Sequence, residues 1–434
     1  MTSNLERQRQ HAAERLWGNR PYRTFWLANV LSNLGTSAYV MALNWLTVMH
    51  YGAHGIALLA LGYAIPQFVL EVLGGAVTDR VPHRQLFLRT ETSLMLAALV
   101  LWLASVRGDV PLWLLVMTSG FNGVISAFDT PARTTLISDM VASDDLMNAQ
   151  QFYSVAANLT NVFGPVLGGI LLSLGKTDQS HEEYAFLFNV LSFIPLLCCI
   201  PLLPPGRRQP SAKPAASRQS GHMLGSIAEG FRYVVHHRQL RLLLMLLAAV
   251  MLLGMPFQTL LPIFVHDHPA MHGGHQLYAA LLSAVGFGGL VGSLLGMTAG
   301  QGHRIGLTLA AAAGGFAVAI LLLASSAVTH WASLAAFLAG GCSVLSLNLN
   351  NAVTMRLTPL ALQGRVSAMA SMGKGLQSFA AAAASEAIHL IHPGGTNLSA
   401  YQSVQAVLAV ALLVAVLFLW RPLSGVDEPP ASAA

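Results

Sequence analysis

The chain has 434 residues, of which 54% are hydrophobic and only 9% are charged. Soluble domains carry charge at about a quarter of their positions, so this composition excludes an ordinary soluble protein. The formal net charge of +5 does not indicate nucleic-acid binding, because the basic residues are spread over the connectors between long apolar runs. The sequence therefore predicts an all-α polytopic membrane protein.

Apolar runs of about 20 residues recur along the chain, and that length crosses a ~30 Å hydrocarbon core as a helix. Twelve transmembrane helices are predicted, at 24–49, 55–78, 86–106, 111–129, 148–174, 184–203, 239–264, 276–299, 305–326, 330–355, 365–391 and 399–420. The predicted domains are a segment 1–23, a six-helix bundle 24–203, a linker 204–238 with an amphipathic helix, a six-helix bundle 239–420 and a tail 421–434. Similar connector motifs in the two bundles indicate pseudo-symmetry about an axis along the membrane normal.

Basic residues occupy alternate connectors. One set of connectors, which includes the linker, holds nearly all of the arginines and lysines, whereas the opposite set holds only Arg107 and Lys176. By the positive-inside rule, the arginine-rich connectors face the cytoplasm. Both termini and the linker are therefore predicted to be cytoplasmic.

A short polar turn joins the second and third predicted helices. It contains the spacing Gly-x3-Asp-Arg-x3-Arg, with Gly75, Asp79, Arg80 and Arg84. This turn resembles the loop between helices 2 and 3 of major facilitator superfamily transporters, although Pro82 and His83 replace the glycine and basic residue usual there. The alternative is a merely solvated turn.

That resemblance implies a conformational gate on the cytoplasmic side. Asp79 would face the N-terminus of the eleventh helix near Arg365, where free N–H groups favour a carboxylate. Arg84 would pair with Asp129. The implied gate residues are Gly75, Asp79, Arg80, Arg84, Asp129, Arg133 and Arg365.

The fifth predicted helix contains a proline flanked by glycines: Gly164, Pro165, Gly168 and Gly169. Proline removes one backbone hydrogen bond and glycines permit close packing, so an incidental kink is the simpler interpretation. The pattern also resembles the signature of exporter branches of the superfamily. With Phe128 to Arg133, Leu146 to Ala149 and Gln363 to Val366, the chain resembles the enterobactin-exporter-like group, which includes macrolide efflux proteins and lysophospholipid transporters.

Charged residues inside predicted spans are costly and draw attention to function. Glu71 lies about 12 Å from the cytoplasmic end of its helix, and Lys374 about 14 Å from the same side. We expect these two to meet at the interface of the bundles in one conformation, so that protonation of Glu71 couples protons to opening. Alternatively, each faces a watered cavity or pairs with another residue. Glu91 and Glu386 are expected to be interfacial.

Polar and aromatic residues on helices 1, 4, 7 and 10 are candidates for contact with a solute, because the resemblance implies that these helices line the central cavity. They are Asn29, Asn33, Tyr39, Asn44, Trp45, Asn122, Phe257, Gln258, Asn348, Asn350 and Asn351. Such asparagines alternatively bond neighbouring helices.

One connector is rich in histidine, with His266, His268, His272 and His275. Imidazoles can bind zinc, copper or nickel, but this spacing fits no closed metal site and a solvated loop is preferred. No metal and no cofactor are predicted.

Together these features predict a secondary active exporter with a major facilitator fold in a bacterial inner membrane. It would move a siderophore-like molecule outward by alternating access, with the proton gradient as the energy source. A multidrug or macrolide efflux pump and a lysophospholipid transporter are the alternatives within the fold. An enzyme is not expected, and a channel suits two matching halves less well. The expected partners are a small-molecule substrate and the lipid bilayer, with no nucleic acid, and the protein is expected to be monomeric.

Overall fold

The structure is a computed structural model of the chain. It describes residues 15–78, 81–108, 110–142, 145–174, 182–203, 232–268, 274–299, 305–391 and 398–423. Within these ranges the regular structure is helical throughout. The helices are α1 (Arg20–Thr78), α2 (His83–Val106), α3 (Leu112–Met140), α4 (Leu146–Leu172), α5 (Glu182–Cys199), α6 (Arg238–Ala249), α7 (Pro256–Asp267), α8 (Gly274–Ala299), α9 (Ile305–Ala324), α10 (Thr329–Leu357), α11 (Leu360–Ile391) and α12 (Leu398–Leu423).

Helix α1 contains the first two predicted spans. Its 59 residues would extend about 90 Å at ~1.5 Å per residue, far more than one membrane crossing needs. The backbone breaks at Gly52, with φ 59° and ψ −153°, a conformation that glycine adopts readily and other residues rarely. The break falls in the connector predicted between 49 and 55.

Ten helices of the described part are long and apolar enough to cross a membrane. One of the ten, Arg20–Glu71, covers the first predicted span and most of the second, and another covers α6, α7 and the π-helical turn Val250–Gly254 between them. Helix α11 is not among the ten, and many of its side chains lie outside the described residues. The prediction of an all-helical polytopic membrane protein is confirmed, and the ten helices correspond to eleven of the twelve predicted spans, all except 365–391.

The chain divides into two compact units. Unit 1 comprises Met1–Tyr51 and Leu58–Gln209, and unit 2 comprises Gly52–Ala57 and Pro210–Ala434. The sequence-based domain boundaries stay predictions, because most of the predicted linker and both ends of the chain lie outside the described residues.

In unit 1, α2 packs against α3 and α5. An apolar core that includes Phe25, Phe87, Leu136 and Leu196 fills the space between the helices. This packing holds the polar face of α3 close to α2, which determines the geometry of the site described below.

In unit 2, α10 packs against α8 and α9, and α9 packs against α12. The contact of α8 with α10 depends on glycine. A Cβ atom built on Gly288 would lie under 3.0 Å from the backbone of Phe337, and one on Gly340 would lie equally close to the backbone of Val285. Small residues of this kind let membrane helices approach closely.

We predict that Gly288→Ala destabilises unit 2, because the added methyl group meets backbone that cannot move aside. Overpacking of this kind costs roughly 1–3 kcal/mol. Gly296→Ala on the same helix is the control, since its Cβ would meet only ordinary contacts of 3.6 Å and 3.9 Å. Thermal unfolding of the purified protein should show a lower midpoint for Gly288→Ala alone. Equal midpoints for the two variants would contradict the packing described for α8 and α10.

Candidate functional site

A buried cluster of charged side chains lies in unit 1, with Arg133 of α3 at its centre. Asp129 stands four residues earlier on the same helix, so the two side chains share one face. The Nη2 atom of Arg133 donates to Oδ2 of Asp129 at 2.9 Å, and Nε donates to the same oxygen at 3.3 Å. Both residues are buried.

Helix α2 supplies a second carboxylate to the same arginine. The Nη2 atom of Arg133 lies 2.5 Å from Oε1 of Glu91, and Glu91 is fully buried. The expectation that Glu91 is interfacial is therefore wrong. It lies eight residues into α2, and the packing of α2 on α3 turns it toward Arg133 rather than toward the membrane surface. The available sequence signal was an acid near the start of one predicted span and an arginine four residues beyond the end of the next, both on the side predicted to be cytoplasmic; α3 continues to Met140 and so includes Arg133.

Polar groups of α1 and α2 complete the shell of the cluster. Nη1 of Arg133 donates to the side-chain oxygens of Asn29 and, at 3.5 Å, of Asn33. Thr90 donates to Oδ1 of Asp129 at 2.8 Å. The guanidinium also lies over the Phe87 ring, 5.1 Å from its centroid, a favourable position for a cation.

The charges within the cluster do not balance when both acids are ionised. One guanidinium then faces two carboxylates, which leaves one excess negative charge in a buried environment, and such a charge is costly. The second carboxylate oxygen of Glu91, Oε2, has no hydrogen-bond partner among the residues that the structure describes. A proton on Glu91 would remove this excess charge.

The structure describes only some of the residues of the predicted gate. Asp79 and Arg80 lie outside the described residues, and of Gly75 and Arg365 the structure describes only their places in α1 and α11. The expected pair of Arg84 with Asp129 is not formed. Arg84 instead donates to the backbone carbonyls of Pro201 and, at 3.1 Å, Leu203.

The reason lies in the positions of the two side chains. Asp129 is buried and already bonded to Thr90 and Arg133. Arg84 is at the beginning of α2 beside the end of α5, where unpaired helix-end carbonyls need donors. In the described part of the chain, Asp129 and Arg133 thus belong to the buried cluster.

Other polar contacts join the ends of the unit 1 helices that are predicted to face the cytoplasm. Nδ1 of His83 lies 2.8 Å from a carboxylate oxygen of Asp139, so α2 and α3 are linked at this end. Arg15 binds both oxygens of Asp145, at 2.7 Å and 3.2 Å. This contact was not predicted, because the two residues are 130 positions apart in the sequence.

The proposed partner of Glu71 is outside the described side chains, since nothing is described for Lys374 beyond its place in α11. Glu71 lies in the second half of α1 and is half-buried. Its coupling role stays a prediction.

The four residues of the glycine-proline motif, Gly164, Pro165, Gly168 and Gly169, are all buried in α4. A Cβ atom on Gly164 would clash with the Ser37 side chain, and one on Gly168 would press on Ala38. The motif therefore brings α4 close to the first half of α1, whatever further role it has in transport.

The solute candidates of unit 1 differ in what they contact. Asn29 and Asn33 contact Arg133, as described above. Tyr39 is buried, its ring lies 5.4 Å from that of Phe186, and its hydroxyl accepts a hydrogen bond from Asn122 at 3.4 Å. The remaining candidates of this unit are Asn44, which is half-buried, and Trp45, which is buried.

The solute candidates of unit 2 differ more strongly in exposure. Phe257 is fully buried against Phe316, and Asn350 is buried and donates to the Leu243 carbonyl at 2.9 Å. These two side chains stabilise the interior of unit 2, and their contact with a solute stays a prediction. Three candidates retain surface: Gln258, Asn348 and Asn351.

The histidine-rich connector does not form a cluster in its described part. His266 pairs with Asp267 at 2.8 Å, whereas Nε2 of His268 lies 3.2 Å from the Ser326 carbonyl. His275 begins α8, and His272 lies outside the described residues.

We predict that Arg133→Gln strongly destabilises the protein, because it leaves Glu91 and Asp129 buried without a cation. Removing one partner of a buried ion pair costs about 3–5 kcal/mol. Adding Glu91→Gln and Asp129→Asn should restore much of the lost stability, since no buried charge then remains. Thermal unfolding in detergent measures both effects.

The matched control is Arg107→Gln, which changes an exposed arginine that follows α2. Its unfolding midpoint should stay near that of the wild type. The ion-pair account of the cluster fails if Arg133→Gln unfolds as Arg107→Gln does, or if the triple variant is less stable than Arg133→Gln alone.

Comparison with known proteins places the chain in a family. The sequence model described as transmembrane secretion effector matches residues 17–422. The chain is 24% identical to the staphyloferrin A transporter of Staphylococcus aureus over 62% of this chain and 65% of that protein. It is 24% identical to the enterobactin exporter EntS of Shigella flexneri over 70% of this chain and 68% of that protein.

A further relative is the multidrug efflux pump Tap of Mycobacterium tuberculosis, 25% identical over 62% of each protein. The matches thus span about two thirds of the length of these relatives.

Among solved structures, the fold is similar to a bacterial homologue of the human lysosomal transporter Spinster, with TM-score 0.65, 16% identity and coverage of 95% of this chain and 100% of that one. A bacterial homologue of the iron transporter ferroportin gives TM-score 0.66 at 16% identity, with 93% and 98% covered.

The family match covers nearly the whole chain, and the solved structures share its helical membrane fold. Members of this superfamily are transporters and not enzymes. The chain belongs to the transmembrane secretion effector family of the major facilitator superfamily.

Proposed function

We propose that this protein is a secondary active exporter that moves a siderophore-like small molecule out of the cytoplasm by alternating access, driven by proton antiport. The observation that carries the proposal is the buried cluster of Arg133, Asp129 and Glu91. A proton-driven transporter needs a protonatable group within its spans, and intramembrane acids paired with arginine are typical of such groups.

The cluster suits a proton better than a fixed structural ion pair. A single arginine with one carboxylate would be neutral and would gain nothing from a proton. Here the second carboxylate, Glu91, leaves one negative charge in excess, and one of its oxygens lacks a donor among the described residues. A proton on Glu91 removes the excess charge, and loss of that proton restores it.

The same arginine provides a physical connection between proton and cargo. Asn29 and Asn33 on α1 are candidates for contact with a solute, and both accept hydrogen bonds from Arg133. In its deprotonated state, Glu91 offers the oxygen that has no partner among the described residues to a hydrogen-bond donor of the solute, whereas a proton on that oxygen removes the acceptor. Proton and solute thereby compete for one carboxylate, which is the requirement for exchange.

The proposed cargo follows from the relatives and from the chemistry of the candidate residues. Two relatives are named for siderophores, staphyloferrin A and enterobactin. Several asparagines among the candidates offer amide donors and acceptors that suit a solute with many oxygen atoms. Multidrug efflux is the second candidate, favoured by the similarity to Tap, and lysophospholipid transport is the third.

The proposed location is a bacterial inner membrane with both termini in the cytoplasm. The alternating distribution of basic residues supports this orientation. The protein is proposed to act as a monomer with no bound cofactor.

We predict that Glu91→Gln uncouples transport from protons, because glutamine keeps the shape of the side chain but cannot bind a proton. Proteoliposomes are loaded with enterobactin, and efflux is followed with a neutral or an acidic exterior. The acidic exterior should accelerate wild-type efflux several-fold, since protons enter as cargo leaves. Glu91→Gln should give equal rates in both conditions.

Glu71→Gln, tested in parallel, separates the two predicted proton sites. Loss of acceleration in Glu71→Gln alone would assign coupling to Glu71 and would contradict the role of the Arg133 cluster. Full acceleration in both variants would contradict proton antiport through either site.

The cargo itself is tested in cells. Deleting the gene should lower the siderophore secreted under iron limitation several-fold while intracellular siderophore rises. Resistance to lipophilic cationic dyes, measured in the same strain, tests the multidrug alternative. Unchanged secretion together with increased dye sensitivity would replace the siderophore proposal with drug efflux.

A further inference from the structure

Three side chains of metal-binding type meet in unit 2, away from the buried charge cluster. They are His54, which follows the break in α1 at Gly52, and Glu386 and His389 on α11. The segment Gly52–Ala57 belongs to the same compact unit as α11. Neither sequence analysis nor the similarity to known proteins assigns a role to this group.

The candidate ligand atoms of the three residues lie close to one another. Nδ1 of His54 lies 2.9 Å from Oε2 of Glu386, and the rings of His54 and His389 are 5.0 Å apart, centroid to centroid. One ligand atom from each residue lies within 4.8 Å of the others. Ligands of a tetrahedral zinc ion at ~2.1 Å are about 3.4 Å apart, so small side-chain rotations are enough to close the group around an ion.

Local structure explains why these residues meet. Glu386 and His389 are three residues apart on α11 and so occupy the same helical face. The positive φ of Gly52 breaks the path of α1 just before His54. Glu386 and His389 on α11 thus face a third candidate ligand, His54, from the turn after Gly52.

We propose that His54, Glu386 and His389 form a binding site for a divalent transition-metal ion of the zinc class. Two imidazole nitrogens and one carboxylate oxygen are a common zinc ligand set that leaves a position for water or another ligand. Calcium and magnesium prefer oxygen ligands throughout, so two imidazoles select against them. All three residues are half-buried, with side-chain exposure of 42% for His54 and 38% for Glu386, so an ion can enter from solvent.

The predicted topology places this site on the face of the membrane opposite the cytoplasm. The connector before His54 and the end of α11 both belong to the connector set that is poor in arginine, which the positive-inside rule assigns to the outside. The ion would therefore come from the exterior. A bound ion would fix the turn at Gly52 to the end of α11.

The competing explanation is that His54 and Glu386 form only a surface ion pair. Such a pair needs no metal and gives no role to His389. The two explanations differ in what His389 does, because only a metal site requires its imidazole as a ligand.

The test is zinc binding to the full-length protein purified without a histidine tag, measured by isothermal titration calorimetry. We expect the wild type to bind one zinc ion per chain. In His54→Ala, and equally in His389→Ala, this binding should be lost or its affinity should fall by more than about tenfold. The control is His50→Ala, since His50 is a nearby histidine whose Nδ1 contacts the Leu46 carbonyl at 3.0 Å and lies outside the group. Its zinc binding should match the wild type.

Cobalt serves as a second probe, because its visible absorption reports nitrogen and oxygen ligands. Wild-type protein should develop a cobalt spectrum that Glu386→Gln and His389→Ala weaken and His50→Ala does not. The proposal is overturned if His54→Ala and His389→Ala, eluting as folded protein in size exclusion, bind zinc and cobalt as the wild type does. Neither measurement involves transport, so the outcome is independent of the proposed export function.

Discussion

The structure of unit 1 depends on one constraint: a guanidinium buried within the membrane-spanning helices must be surrounded by groups that satisfy its charge and its N–H donors. Arg133 meets this requirement with two carboxylates, two asparagine oxygens and an aromatic ring drawn from α1, α2 and α3. These partners fix how the three helices pack at that level. When both acids are ionised, the partners carry more negative charge than the arginine neutralises, and for this reason we propose the same cluster as the site of the exchanged proton.

The fold was predictable because lipid leaves few choices. Backbone groups must be satisfied within each span, so every long apolar run becomes a helix and every polar or glycine-containing connector ends one. The break at Gly52 and the helices of both halves follow from this rule. The two spans of α1 were predicted as helices separated by a connector. In the structure, helix extends up to Gly52 and resumes directly after it, so that one helix contains both spans.

The partners of charged residues were less predictable than the helices. Sequence analysis paired Arg84 with Asp129 from a family resemblance, whereas packing directs Arg84 to the end of α5 and Asp129 to Arg133. Glu91 was assigned to the interface because depth along a helix does not reveal which face is turned inward. His54 and Glu386 are 332 residues apart, and no local pattern joins them. In the histidine-rich connector, His266 and His268 contact different partners, Asp267 and the Ser326 carbonyl, although they are neighbours in sequence.

The central proposal is that Glu91, in the cluster with Arg133 and Asp129, carries a proton and that this proton is the one exchanged for cargo. Infrared difference spectroscopy of the purified protein measures the carbonyl stretch of a buried protonated carboxyl group directly. We expect such a band in the wild type, shifted in heavy water, lost in Glu91→Gln, kept in Glu71→Gln, and diminished when enterobactin binds. A band that persists in Glu91→Gln, or one in the wild type that cargo leaves unchanged, would contradict the account.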